Sequence, residues 1–116
     1  MGMRISPSLE AAILSQAGIN PCLGLSEKHF QAKVVALAEG CGWAPYHTHD
    51  SRRSRKGFPD LVMIRNGVLL VAELKAGRNK TTPEQEKWLR LFEGVGARVR
   101  RWRPEHWWDI QKELAA

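Results

Sequence analysis

The sequence predicts an α/β domain with element order αβββαβα. Three observations carry that reading. Phe30, Val34, Leu37, Ala38 and Cys41 recur at helical spacing after Ser26. Asn66-Gly67 separates two apolar runs, Asp60–Arg65 and Val68–Lys75, as the loop of a hairpin does. Thr82-Pro83-Glu84-Gln85 opens a further helical stripe, which a short Arg-rich strand follows.

In chain order, residues 1–25 read as an N-terminal arm or extra helix. Ser6-Pro7 fits the start of a helix to Ala17, with Leu9, Ile13 and Leu14 apolar and Gly18 as its stop. Asn20-Pro21 then breaks the chain, and the pattern leaves a docked arm, a dimer element and a frayed tail open. The domain proper covers residues 26–116. Ser26 caps its first helix, and Glu27 lies in the first turn, where the dipole favours an anion. Glu27 stands three and seven residues before Phe30 and Val34, so it borders the apolar stripe. Gly40 and Gly42 end that helix, and Trp43 to His49 reads as a strand. A basic loop with Arg52, Arg53, Arg55 and Lys56 precedes the hairpin, and a second basic turn, with Arg78 and Lys80, follows it. Thr82 caps the next helix, with Pro83 at its first position and Trp88, Leu89, Leu91, Phe92 and Val95 on its apolar side. Gly94 or Gly96 stops it, Ala97–Trp102 forms a strand, and Pro104 opens a last helix through Leu114.

With 116 residues the chain is most simply one domain with one core. No apolar run approaches the ~20 residues of a membrane span, and no signal peptide is apparent. The chain is expected to be soluble and cytoplasmic. Cys22 and Cys41 make neither a metal pattern nor a disulfide framework. Lys and Arg number 18 against 12 Asp and Glu, and the +6 balance favours an anionic partner, nucleic acid first.

The hairpin loop fixes which residues meet. If Arg65 pairs with Val68, then 64 faces 69, 62 faces 71 and Asp60 faces Glu73. Asp60, Val62, Ile64, Leu69, Val71, Glu73 and Lys75 share one sheet face. Opposed side chains have Cβ atoms about 4.5–5.5 Å apart, so two carboxylates and an ammonium converge at the end of an apolar hairpin. Opposed like charges repel, and carboxylates at a buried strand lose solvation. A divalent cation offsets both, and hard oxygen ligands suit Mg²⁺ or Mn²⁺. The alternative is a solvated surface Asp beside a Glu73/Lys75 ion pair.

Gly57-Phe58-Pro59-Asp60, then Glu73-Leu74-Lys75, then Thr82-Pro83-Glu84-Gln85 resemble the VRR-NUC family of PD-(D/E)XK nucleases. The likeness runs from Ser26 to Leu114 and takes in Glu27 and Arg103-Pro104. It implies a restriction-endonuclease-like central mixed sheet flanked by helices, and a metal-dependent DNA endonuclease. Small stand-alone members resemble homodimers acting on branched DNA such as four-way (Holliday) junctions. Position by position, the resemblance makes Glu27, Asp60, Glu73, Lys75 and Gln85 the active-site set. Asp60 and Glu73 would hold the metal, with the Leu74 carbonyl as a third oxygen and Glu27 at a second metal or a bound water. Gln85 is equally well explained by a capping box with Thr82, and Lys75 by an ion pair. The basic groups Arg52, Arg53, Arg55, Lys56, Arg78 and Lys80 flank the site and fit phosphate contacts, or a solvated loop. Arg98, Arg100, Arg101 and Arg103 fit either a DNA-facing surface or an edge strand guarded by charge. Rival functions are a flap, end or duplex nuclease, and a non-catalytic DNA-binding factor.

Overall fold

The computed structural model describes residues 16–48 and 55–116, together with Leu9 and Ile13. Most of the helix expected from Ser6 to Ala17 lies outside the described residues, as do His49, Arg52 and Arg53. Helix α1 spans Glu27–Gly40, followed by β1 at Ala44–His47, β2 at Leu61–Arg65 and β3 at Val68–Leu74. Helix α2 is Pro83–Gly94, β4 is Arg98–Trp102, and a 3₁₀ turn at Pro104–His106 leads into α3, Trp107–Ala115. The strands lie in the order β1-β2-β3-β4, with β4 parallel to β3 and the others antiparallel. This is the αβββαβα order and the mixed sheet that the sequence predicts.

The hairpin has the expected register. Asn66 and Gly67 have φ of 49° and 76°, the left-handed pair that a type I′ loop requires. Arg65 pairs with Val68, Ile64 with Leu69 and Val62 with Val71. Both hairpin faces are covered over most of their length, with Ile64 left exposed, which explains two runs that are apolar throughout instead of alternating. On one face Leu61, Met63, Leu70, Ala72 and Leu74 join Phe30, Val34 and Ala38 of α1 and Ile110 and Leu114 of α3 in the main core. On the other, Val62, Leu69 and Val71 pack with Leu89 and Phe92 of α2 and with Ala97 and Val99.

Strand ends are shorter than the patterns suggest. The strand expected from Trp43 begins at Ala44, because Trp43 turns inward and its Nε1 donates to the Leu114 carbonyl at 2.9 Å. Arg65 lies over the Trp43 ring and donates to the carbonyls of Cys41, Leu114 and Ala116, tying the ends of α1 and α3 together. Residues 20–25 dock on the domain: Cys22 is fully buried in the main core, and Asn20 donates to the Pro104 carbonyl at 2.8 Å. Burial pushes the Cys22 thiol up to about 11, so it is an inert packing group.

Strand β4 is an edge strand whose arginines are ion-paired. Arg100 reaches Glu113 at 2.8 Å, and Arg101 holds Glu86 through contacts of 2.8 and 2.6 Å. Trp107 belongs to the core and Trp108 packs against it.

Candidate active site

Glu73 is the buried charged residue of the described fold, only 1% exposed near the end of β3. Its Oε1 accepts from Gln85 Nε2 at 3.3 Å, while Oε2 is buried with no hydrogen-bond partner among the described residues. Desolvation pushes its carboxyl up to about 9, with the Asp60 carboxyl beside it raising it further and Lys75 pulling it down. Two carboxyls are both acceptors when ionised, so in the protein alone this pair is satisfied only when one carries a proton.

Asp60 sits one residue outside the β2 ladder. Its Oδ2 accepts from the Leu74 N–H at 2.8 Å, a side chain standing where a strand partner would be. The preceding residues fix its place. Gly57 has φ +83°, and a Cβ there would lie 2.5 Å from the Glu84 carbonyl carbon, so only glycine lets the chain run this close to α2. Phe58 meets Trp88 and Phe92 edge-on, with centroids 5.2 and 5.9 Å away. Trp88 Nε1 donates to the Lys56 carbonyl at 3.2 Å. The Gly-Phe-Pro segment is thus a wedge against α2 that carries Asp60 to the hairpin end.

The same helix supplies Gln85. Thr82 Oγ1 accepts from the Gln85 N–H, and Gln85 Oε1 accepts from the Thr82 N–H at 2.8 Å, a complete capping box. The Gln85 amide nitrogen is left to hold Glu73, so one side chain serves both cap and site. Glu27 comes from the first turn of α1. Its Oε1 accepts from the Ala76 N–H at 3.2 Å and from Asn79 Nδ2 at 3.1 Å. Asn79 was not among the sequence candidates, because nothing in a polar turn marks one amide above its neighbours. Arg103, expected on a DNA-facing surface or a charge-guarded edge, instead donates its guanidinium to the Gly77 carbonyl at 3.1 Å and to the Asn79 carbonyl, clamping that turn.

Glu27, Asp60, Glu73, Lys75 and Gln85 therefore gather where α1, the hairpin and α2 meet. Leu74 puts its side chain in the core and its N–H on Asp60. Arg55, Lys56, Arg78 and Lys80 are all exposed; Lys56 makes only a loose 3.8 Å contact with Glu84. Among the described residues no three His, Cys, Asp or Glu side chains converge tightly enough to hold a metal ion. The Asp60/Glu73 pair still fits a hard divalent cation. The unpartnered Glu73 oxygen and two adjacent acceptors are what such an ion satisfies, and they are costly without it.

The fold and this site define a nuclease-like α/β domain. The VRR-NUC domain pattern matches residues 8–103, and the chain belongs to the VRR-NUC family of nucleases. That match begins well before Ser26, so it includes most of the N-terminal segment. A solved VRR-NUC domain aligns with a TM-score of 0.61 at 23% identity, over 76% of this chain and 92% of that one. That likeness is one of fold. No curated protein sequence matches. Among the described residues no helix is long and apolar enough to cross a membrane.

Proposed function

We propose that this chain is a Mg²⁺- or Mn²⁺-dependent DNA endonuclease selective for branched duplexes such as four-way junctions. The supporting observation is Glu73: a carboxyl sealed from solvent, with one oxygen unpartnered, beside Asp60 and within the field of Lys75. A structural role alone gives no reason to keep so costly a group. Asp60 and Glu73 would hold the cation, with the Leu74 carbonyl as a third oxygen and Glu27 orienting water beside it. Bound there, the cation supplies Lewis acidity and a more acidic water.

The protein's own groups have separate tasks. Gln85 fixes the Glu73 carboxylate, and Asn79 fixes Glu27. The Leu74 N–H aims Asp60. Lys75 stabilises the charge that develops on the phosphoryl oxygens as the bond breaks. Arg52, Arg53, Arg55, Lys56, Arg78 and Lys80 draw in backbone phosphates without reading sequence. One small domain carries one site, and resolving a junction takes two cuts, which a two-fold homodimer supplies. A DNA substrate suits a cytoplasmic protein.

The test is cleavage of labelled four-way junction, flap and plain duplex with Mg²⁺ or Mn²⁺, beside Glu73→Ala and a chelator control. Symmetric nicks in the junction, absent in both controls, are expected. Cutting of flap or duplex instead keeps the chemistry and replaces the substrate. Metal-dependent cleavage of none of them refutes the enzyme.

A further inference from the structure

The parallel strands β3 and β4 end together, Leu74 opposite Trp102, and beyond them opens a cleft of about 270 Å³. Lys75, Lys80, Thr81, Arg101, Trp102 and Arg103 line it. The four cations are not equivalent. Arg101 is largely neutralised by its two contacts with Glu86. Arg103 spends its hydrogen bonds on the carbonyls of Gly77 and Asn79, which hold it in place without cancelling its charge. Lys80 is exposed at the lip. Lys75 belongs both to this cleft and to the surroundings of Glu73.

The setting strengthens that charge. Trp102, 5% exposed, gives the cleft a low-dielectric wall, which focuses the field of the cations. Thr81 adjoins the Thr82 cap of α2, so the positive end of a helix dipole lies nearby. The crevice beyond the carboxyl ends of parallel strands joined by a helix is where α/β sheets bind ligands. The volume falls just below the ~300–1,000 Å³ usual for small-molecule pockets, which suits one phosphate and part of its sugar better than a base pair.

We propose that this cleft seats a second phosphodiester of the strand being cut, next along from the one at Asp60 and Glu73. Lys80 and Arg103 are its cationic contacts, and Lys75 stands between the two phosphates. The inference rests on the nuclease reading and adds a requirement to it: an efficiently cut bond has a charged neighbour on one defined side.

The experiment uses DNA of the cleaved form with the cut mapped, carrying a single neutral methylphosphonate at each flanking linkage in turn. Binding is read by fluorescence anisotropy in chelator, so no turnover is needed. One flanking linkage should weaken binding by about tenfold when neutralised, and Lys80→Ala should do the same on unmodified DNA, with the salt slope reduced by about one. Combined, the two changes should cost no more than either alone. Arg103→Lys, which keeps the charge, should bind better than Arg103→Ala at matched thermal stability. A linkage scan with no sensitive position, or effects that simply add to that of Lys80→Ala, overturns the cleft while leaving cleavage intact. Absence of both binding and metal-dependent cleavage of unmodified DNA overturns the nuclease reading as well.

Discussion

Exchanging Glu73 for Gln should stabilise the protein in chelator while abolishing cleavage. The magnitude follows from the shifted carboxyl, which titrates near 9 in the fold against 4.5 when unperturbed. At pH 7 the unfolded chain releases this proton and the folded chain keeps it. Each pKa unit is worth about 1.36 kcal/mol, so the ionisable group costs the fold on the order of 3 kcal/mol. Gln has the same shape, can keep its oxygen on Gln85 and can offer Asp60 a donor. After the cost of orienting the amide, a gain of about 1–3 kcal/mol remains, or roughly 5–15 °C in melting temperature. The folded pKa is raised, so stability from Glu73 is intact below about pH 4.5 and is lost as pH rises towards 9. Melting curves of the two proteins should therefore coincide near pH 4.5 and separate steadily up to about pH 9. Added Mg²⁺ should raise the wild-type curve at pH 8 far more than that of Glu73→Gln. Equal stabilities at pH 8, or a gap independent of pH, would refute the reasoning.

Other perturbations separate the roles of neighbouring groups. Lys75→Ala should lower turnover by roughly 10²-fold or more while the Mg²⁺-induced rise in melting temperature persists; cleavage at the normal rate would remove Lys75 from catalysis. Gly57→Ala forces a Cβ into the Glu84 backbone at positive φ, and should lower stability by about 1–3 kcal/mol in denaturant melts and weaken cleavage through Asp60. Asn79→Ala should reduce turnover about tenfold, and Asn79→Asp, anionic against Glu27, should reduce it further; the reverse order in single-turnover assays would show that Asn79 does not position Glu27. Hydrogen bonds from Arg101 and then Thr81 hold Glu86 down to about 2 from 4.5. Its lowered pKa means stability present above about pH 4.5 and lost towards pH 2, so Glu86→Gln should cost about 0.5–1 kcal/mol at pH 7 and almost nothing near pH 2.

The hairpin was legible because Asn66-Gly67 demands two left-handed residues in succession, and that single requirement fixes every cross-strand pair. The start of α2 was legible because Thr82 and Gln85 each satisfy an unpaired N–H of the helix end and Pro83 removes another. What pattern could not give was contact between distant segments. The Asp60 bond to the Leu74 N–H depends on where the ladder stops, and strand ends carry little periodic signal. Phe58 meets Trp88 and Phe92 across a separation that no local spacing encodes. Nothing in β4 itself specifies Glu86 as the partner of Arg101. The depth of Glu73 likewise depends on how closely α2 packs over the sheet, a property of the finished fold.

The clamp that Arg103 puts on the turn at Gly77 and Asn79 also ties the aim of the acidic residues to a segment far along the chain. The turn holds Asn79 against Glu27, and β4 must pair with β3 before Arg103 can reach it. A chain emerging from the ribosome has already exposed Glu27, Asp60 and Glu73 when Arg103 is still unmade. A fragment released early, or a chain stalled before its last strand, then carries the acidic residues without the frame that aims them. The frame that aims the acidic residues is thus complete only once β4 is in place on β3.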